Sequence, residues 1–179
     1  MRLIVIILLV IITNLFPWLA FSTSQDKAVH LFFIERDKNK NIVQYDLRMT
    51  GNKDPFDSNP VTAYWILKGG RREELNEVEK KYAYGIASQE KIANDKFRIR
   101  LAALKNREII VEKISGSFKA VLSIHGKESI LEKVYVRSKE GLVGNPEVLS
   151  FDLFGRIIAT NLPVRERICL TKSGRNGVC

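Results

Sequence analysis

The chain reads as a mainly β domain of the α+β class: an antiparallel sheet curled into a barrel or sandwich, with one amphipathic helix packed on it. Three observations predict this. Short apolar runs with period-two alternation recur from residue 29 to residue 159, as expected of strands with one buried face. Polar or glycine-containing turns separate them at close intervals. Only residues 72–86 carry apolar side chains at helical spacing.

Residues 29–35 form an apolar run that ends in charge, and residues 36–41 are a polar hairpin loop. In residues 42–49, Val43, Tyr45, Leu47 and Met49 fall on one face and Gln44, Asp46 and Arg48 on the other. A longer loop rich in Gly, Asn, Asp and Pro covers residues 50–60, and residues 61–67 resume as a strand. Leu75, Val78, Tyr82 and Ile86 then mark the helical stripe. Glutamates come first and lysines last, which suits the macrodipole, and Gly85 is placed for a left-handed C-terminal cap. Strands follow at residues 97–101, 109–111, 118–124 and 130–136, with turns at 105–107 and 125–127. After a loop at 141–146, residues 148–154 and 157–159 read as a last hairpin about Gly155.

Ahead of all this stands an export signal. Arg2 is a minimal basic n-region, residues 3–12 are an apolar h-region, and residues 20–22 offer small side chains for cleavage. The alternative is a retained N-terminal membrane anchor. The expected organisation is therefore a signal peptide at 1–22, a single β-rich domain at 23–168 and a tail at 169–179. A secreted or periplasmic location in a bacterium follows. The net charge of +9 becomes +8 once Arg2 is removed. It is spread along the chain, which favours a solvated basic surface over a dedicated nucleic-acid face. Cys169 and Cys179 are the only cysteines. An oxidising compartment would let them bridge and close the tail, for about 2.5–3 kcal/mol by chain entropy; two free thiols are the other reading.

Five ordered motifs, HLFFIERDKN at 30–39, VQYD at 43–46, AYWI at 63–66, EKKYAYG at 79–85 and DLFG at 152–155, resemble the bacterial DUF4833 family of secreted proteins. The similarity runs from about His30 to Ile168. Asp37 stands where the family carries serine, and both cysteines lie outside the resemblance. It implies a single domain and assigns no catalytic or binding residues.

Candidate chemistry is sparse. His30 and His125 are the only histidines, and no spacing gathers metal ligands. Ser115, Ser117 and Ser173 lack a nucleophile elbow, and no cofactor fingerprint appears. Glu35, Asp37 and Asp46 could form a carboxylate pair for a hydrolase of the glycosidase type, or an ion-pair network with Arg36, Lys38 and Arg48. A ligand-binding pocket between helix and sheet would draw on Tyr64, Trp65, Tyr82 and Tyr84. Lys68 and Arg71 beside it favour an anionic group. These features point to a non-enzymatic module that binds an anionic ligand or envelope component; hydrolysis by the acidic residues is the alternative.

Overall fold

The computed structural model describes residues 27–37, 39–50, 54–55, 58–140, 146–170 and 176–177. The expected signal at 1–22 and Cys179 lie outside them. Thirteen strands and one helix are described: β1 (Lys27–Arg36), β2 (Asn39–Thr50), β3 (Asp54–Pro55), β4 (Val61–Ile66), β5 (Arg72–Glu74), α1 (Glu77–Tyr82), β6 (Ile86–Ala93), β7 (Lys96–Leu101), β8 (Ile109–Ile114), β9 (Ser117–Ile124), β10 (Lys127–Glu140), β11 (Pro146–Ile157), β12 (Pro163–Leu170) and β13 (Asn176–Gly177). The structure is mainly β, a sheet curled into a half-barrel.

The main path through the sheet runs β5-β4-β2-β1-β10-β9-β8-β7-β6, with β11, β12 and β13 added beyond β10 and β3 on β2. β10 is the junction. Along one edge it pairs with β9 through residues 127–130 and then with β1 through residues 133–136; β11 covers the other edge. A bulge between Leu131 and Lys133 makes this work. Without the extra residue, alternation would send Val134 and Val136 outward; both are instead buried with Leu131. The β1–β10 pair is parallel, a departure from the all-antiparallel expectation, while every other pair is antiparallel.

Alternation fills the curl. Phe32 and Ile34 of β1, Val43, Tyr45 and Leu47 of β2, Phe97 and Ile99 of β7 and Leu153 of β11 belong to one buried apolar cluster. At the seam β6 returns to β4 through a side chain. Gln89 accepts from the Val61 N–H and donates to the Val61 carbonyl, both at 2.9 Å, so its amide stands in for a neighbouring strand. Gln89→Ala is expected to cost about 1–3 kcal/mol, because two backbone groups of a buried residue lose their partner. A urea midpoint shift and faster hydrogen exchange at Val61 would show it.

Three local expectations are corrected. The helix is six residues long instead of spanning 72–86. Residues 72–74 pair with β4 as β5, and Asn76 then caps the helix in a capping box with Glu79. No residue of α1 is buried; Val78 and Tyr82 of the expected stripe are 68% and 65% exposed. Leu75, just ahead of the cap, is the side chain that packs inward. Gly85 is not a left-handed cap either, since its φ is not positive; a Cβ there would collide with the Lys80 carbonyl. Gly155 turns nothing. β11 runs straight through it, opposite Leu131, and the chain reverses at residues 158–162.

Candidate functional site

The site is built where β1 ends. Phe32, Ile34 and Arg36 fall at alternate positions, so the strand carries a guanidinium inward after two core side chains. Its central carbon lies 4.7 Å from the Trp65 ring centroid and 5.7 Å from that of Tyr84, a doubled cation–π contact. Arg36 Nη1 also donates to the Tyr84 hydroxyl at 3.3 Å. The edge of one ring meets the other at 5.1 Å and 71° between Trp65 and Tyr84.

The neighbours hold this group still. Trp65 Nε1 donates to Glu79 Oε2 at 3.1 Å, and the same oxygen accepts the Asn76 N–H at 3.0 Å, which ties the indole to the helix cap. Beneath them the fully buried Tyr45 stacks on Phe32 at 4.4 Å and donates to the Tyr84 carbonyl at 2.5 Å. Burial pushes both the Tyr45 and Tyr84 phenols up, so each stays protonated at neutral pH; Arg36 only partly offsets this at Tyr84.

Tyr84, which Arg36 contacts, also borders an apolar cavity of about 80 Å³ lined by Ile34, Leu101, Leu104, Val136 and Phe151, with Tyr82 on the α1 side; Arg36 itself is not part of the lining. That is room for roughly two or three water-sized groups. Arg36 Nε is buried and has no hydrogen-bond partner among the described residues. The chemistry on offer is a fixed cation and a small greasy hole that share Tyr84.

Of the six residues expected to line one pocket, Tyr82 and Tyr84 line this cavity, and Trp65 meets Tyr84 without lining it. Tyr64 cannot join them, because consecutive residues of a strand point to opposite faces. It lies on the other face, where it donates to Asp46 Oδ2 and accepts from Gln44 Nε2 at 3.0 Å. Burial and its hydrogen bond to Asp46 push the Tyr64 phenol up to about 12. Lys68 is exposed in the β4–β5 turn, its N–H donating to Asn41 Oδ1 at 3.0 Å, and Arg71, 75% exposed, pairs with Glu73. Sequence reasoning missed Arg36 as a site residue, although the Phe32, Ile34, Arg36 parity was a signal that could have found it.

Asp46 stands apart from the other two acidic candidates, each of which has its own partner. Glu35 pairs with Lys133 at 2.9 Å, and Asp37 accepts from Ser138 N and Oγ at 3.0 Å. Asp46 faces His30 in the β1–β2 register, its Oδ1 3.1 Å from His30 Nδ1. Five residues of strand separate His30 from Glu35, about 16 Å, well beyond the spacing that a glycosidase pair requires. A buried carboxylate stands elsewhere. Asp152 on β11 gathers Arg137, Arg165 and Arg167, while Arg156 binds Glu132. Among the described residues no group of three or more His, Cys, Asp or Glu is placed to hold a metal.

No curated protein and no solved structure matches the chain. A family model described as a domain of unknown function, DUF4833, matches residues 32–167. That span opens on Phe32 and includes Arg36, Trp65, Tyr84 and the cavity lining, so the Arg36 site and most of the half-barrel lie inside it, and the chain belongs to the DUF4833 family.

Proposed function

We propose that this domain is a non-enzymatic binding module of the bacterial cell envelope, and that it takes a small ligand with an anionic group and a short apolar end. The observation that carries this reading is Arg36: an inward-facing guanidinium, stacked on two aromatic rings, with a buried Nε that lacks a partner among the described residues and an apolar cavity bordered by Tyr84, one of those rings. A carboxylate over Arg36 would supply that hydrogen bond, and the cavity would accept the terminal carbons. Export is supported by the apolar leader at 1–22 and by the net positive charge, which attracts anions at a membrane or wall surface. The tail would be closed by a Cys169–Cys179 bond, a reading supported by β13, which pairs with β12 so that Gly177 lies opposite Cys169.

Trp65 makes the test simple. Trp18 is the other tryptophan and leaves with the leader, so in the processed chain indole fluorescence reports this site alone. Titration with short-chain carboxylates, butyrate to hexanoate, is expected to change Trp65 emission saturably, and Arg36→Gln to weaken binding about tenfold or more through loss of a charge-assisted contact. An unchanged spectrum in the wild type, or equal binding by the variant, would refute the site. N-terminal and non-reducing mass measurement of protein from its native host tests processing at residue 22 and the disulfide.

A further inference from the structure

We infer that the outer face of β10, β11 and β12 is a second binding site, for a phosphate group, formed by Arg137, Arg165 and Arg167 around Asp152. Register builds it. Asp152 lies between Tyr135 of β10 and Arg167 of β12, with Arg137 two residues to one side of it, opposite Ser150, and Arg165 two residues to the other, opposite Phe154, all on one face. The Asp152 side chain is 1% exposed. Its Oδ2 receives three guanidiniums, from Arg165 Nη2 at 2.9 Å, Arg167 Nη2 at 3.1 Å and Arg137 Nε at 3.3 Å; its Oδ1 takes Arg167 Nε at 2.7 Å.

One carboxylate therefore answers three fixed cations. Guanidiniums do not shed their protons in proteins, so two positive charges stay concentrated at this spot. Among the described residues Glu35 pairs with Lys133 on this face, Glu132 with Arg156 and Glu166 with Arg107. An anion from solution can balance the surplus. The donors are also pre-aimed. Each guanidinium has five N–H groups, of which Asp152 engages one or two, leaving the others for a ligand. Arg165 lies 5.2 Å from the Phe154 ring centroid and Arg137 5.7 Å from that of Tyr135, and all three arginine side chains remain 40–48% exposed. Orientation fixed before binding lowers the ordering cost of association, and forked donors with two surplus charges match a phosphate dianion.

The full processed chain, its Arg165→Gln and Arg137→Gln variants and an Arg98→Gln control are titrated at constant ionic strength. One series uses inorganic phosphate against chloride, another phosphatidylglycerol vesicles against phosphatidylcholine vesicles. Two variants are used because Asp152 keeps two guanidiniums in each, which protects the fold. Binding to phosphate that weakens about tenfold or more in both variants, with the control unchanged, supports a site for a soluble phosphate ester. The same dependence seen on phosphatidylglycerol vesicles alone supports a lipid phosphate as the occupant. Binding that is equal in the wild type and both variants, or absent with both probes, overturns the proposal.

Discussion

Replacing Gly155 by alanine is expected to remove about 3 kcal/mol of stability, the upper end of what overpacking costs, and to lower the melting temperature by roughly 10 °C in a domain of this size. A Cβ built on Gly155 would sit 2.2 Å from the Ile130 carbonyl oxygen and 2.9 Å from Ile124 Cδ1. The nearer atom is backbone of β10 and cannot rotate away. β11 would have to lift off beside the Leu131 bulge, where both wings of the sheet meet. Gly126→Ala offers the contrast: nothing lies within 4 Å of its Cβ, and only the positive φ of +74° opposes it, a penalty of about 1 kcal/mol. Thermal melts of the two variants should differ clearly; matching melts would mean that β11 and β10 are not held as closely as described.

The second large effect belongs to Asp152. Hydrogen bonds from Arg167 first, and then from Arg165 and Arg137, outweigh its desolvation and lower its pKa from 3.8 to about 2. The unfolded chain therefore takes up the proton at higher pH than the folded one. The contribution of this carboxylate to stability is complete above about pH 5, and it is lost as pH falls from about 4 through 2; its size is about 2 kcal/mol by linkage. Asp152→Asn should lose that amount at pH 7, and it should differ little from the wild type at pH 2. Urea unfolding at the two pH values measures this directly, and an equal deficit at both would assign the loss to packing instead of charge.

The parts of the fold that were legible in the sequence are those that local physics decides. In β2 every second residue from Val43 to Met49 is buried, as alternation demands. The turn at residues 125–127 is a tight reversal with positive φ at His125 and Gly126, the chemistry that such a turn calls for. Where the expectation failed, a distant partner had decided. Leu75, Val78 and Tyr82 share a helical spacing, yet the pairing of Arg72–Glu74 with β4 and the Asn76 cap cut the helix to six residues. β6 is an edge strand whose seam is closed by Gln89, and its apolar residues stand in adjacent pairs at its two ends, so no alternation announced it. Gly155 resembled a turn residue, while its real constraint is the backbone of β10. The site was half legible. Its aromatics were visible as a group, but the choice of which belong together depends on strand parity, which separates Tyr64 from Trp65 and adds Arg36.

The parallel contact of β1 with β10 joins residues one hundred positions apart, Phe33 with Lys133. During synthesis β2, β4 and β5 can assemble on one side of β1, but its other edge has no partner until the ribosome has delivered β10, and long loops close slowly. The nascent sheet consequently shows an open strand edge for most of its elongation, a template for wrong pairing that a chaperone can cover.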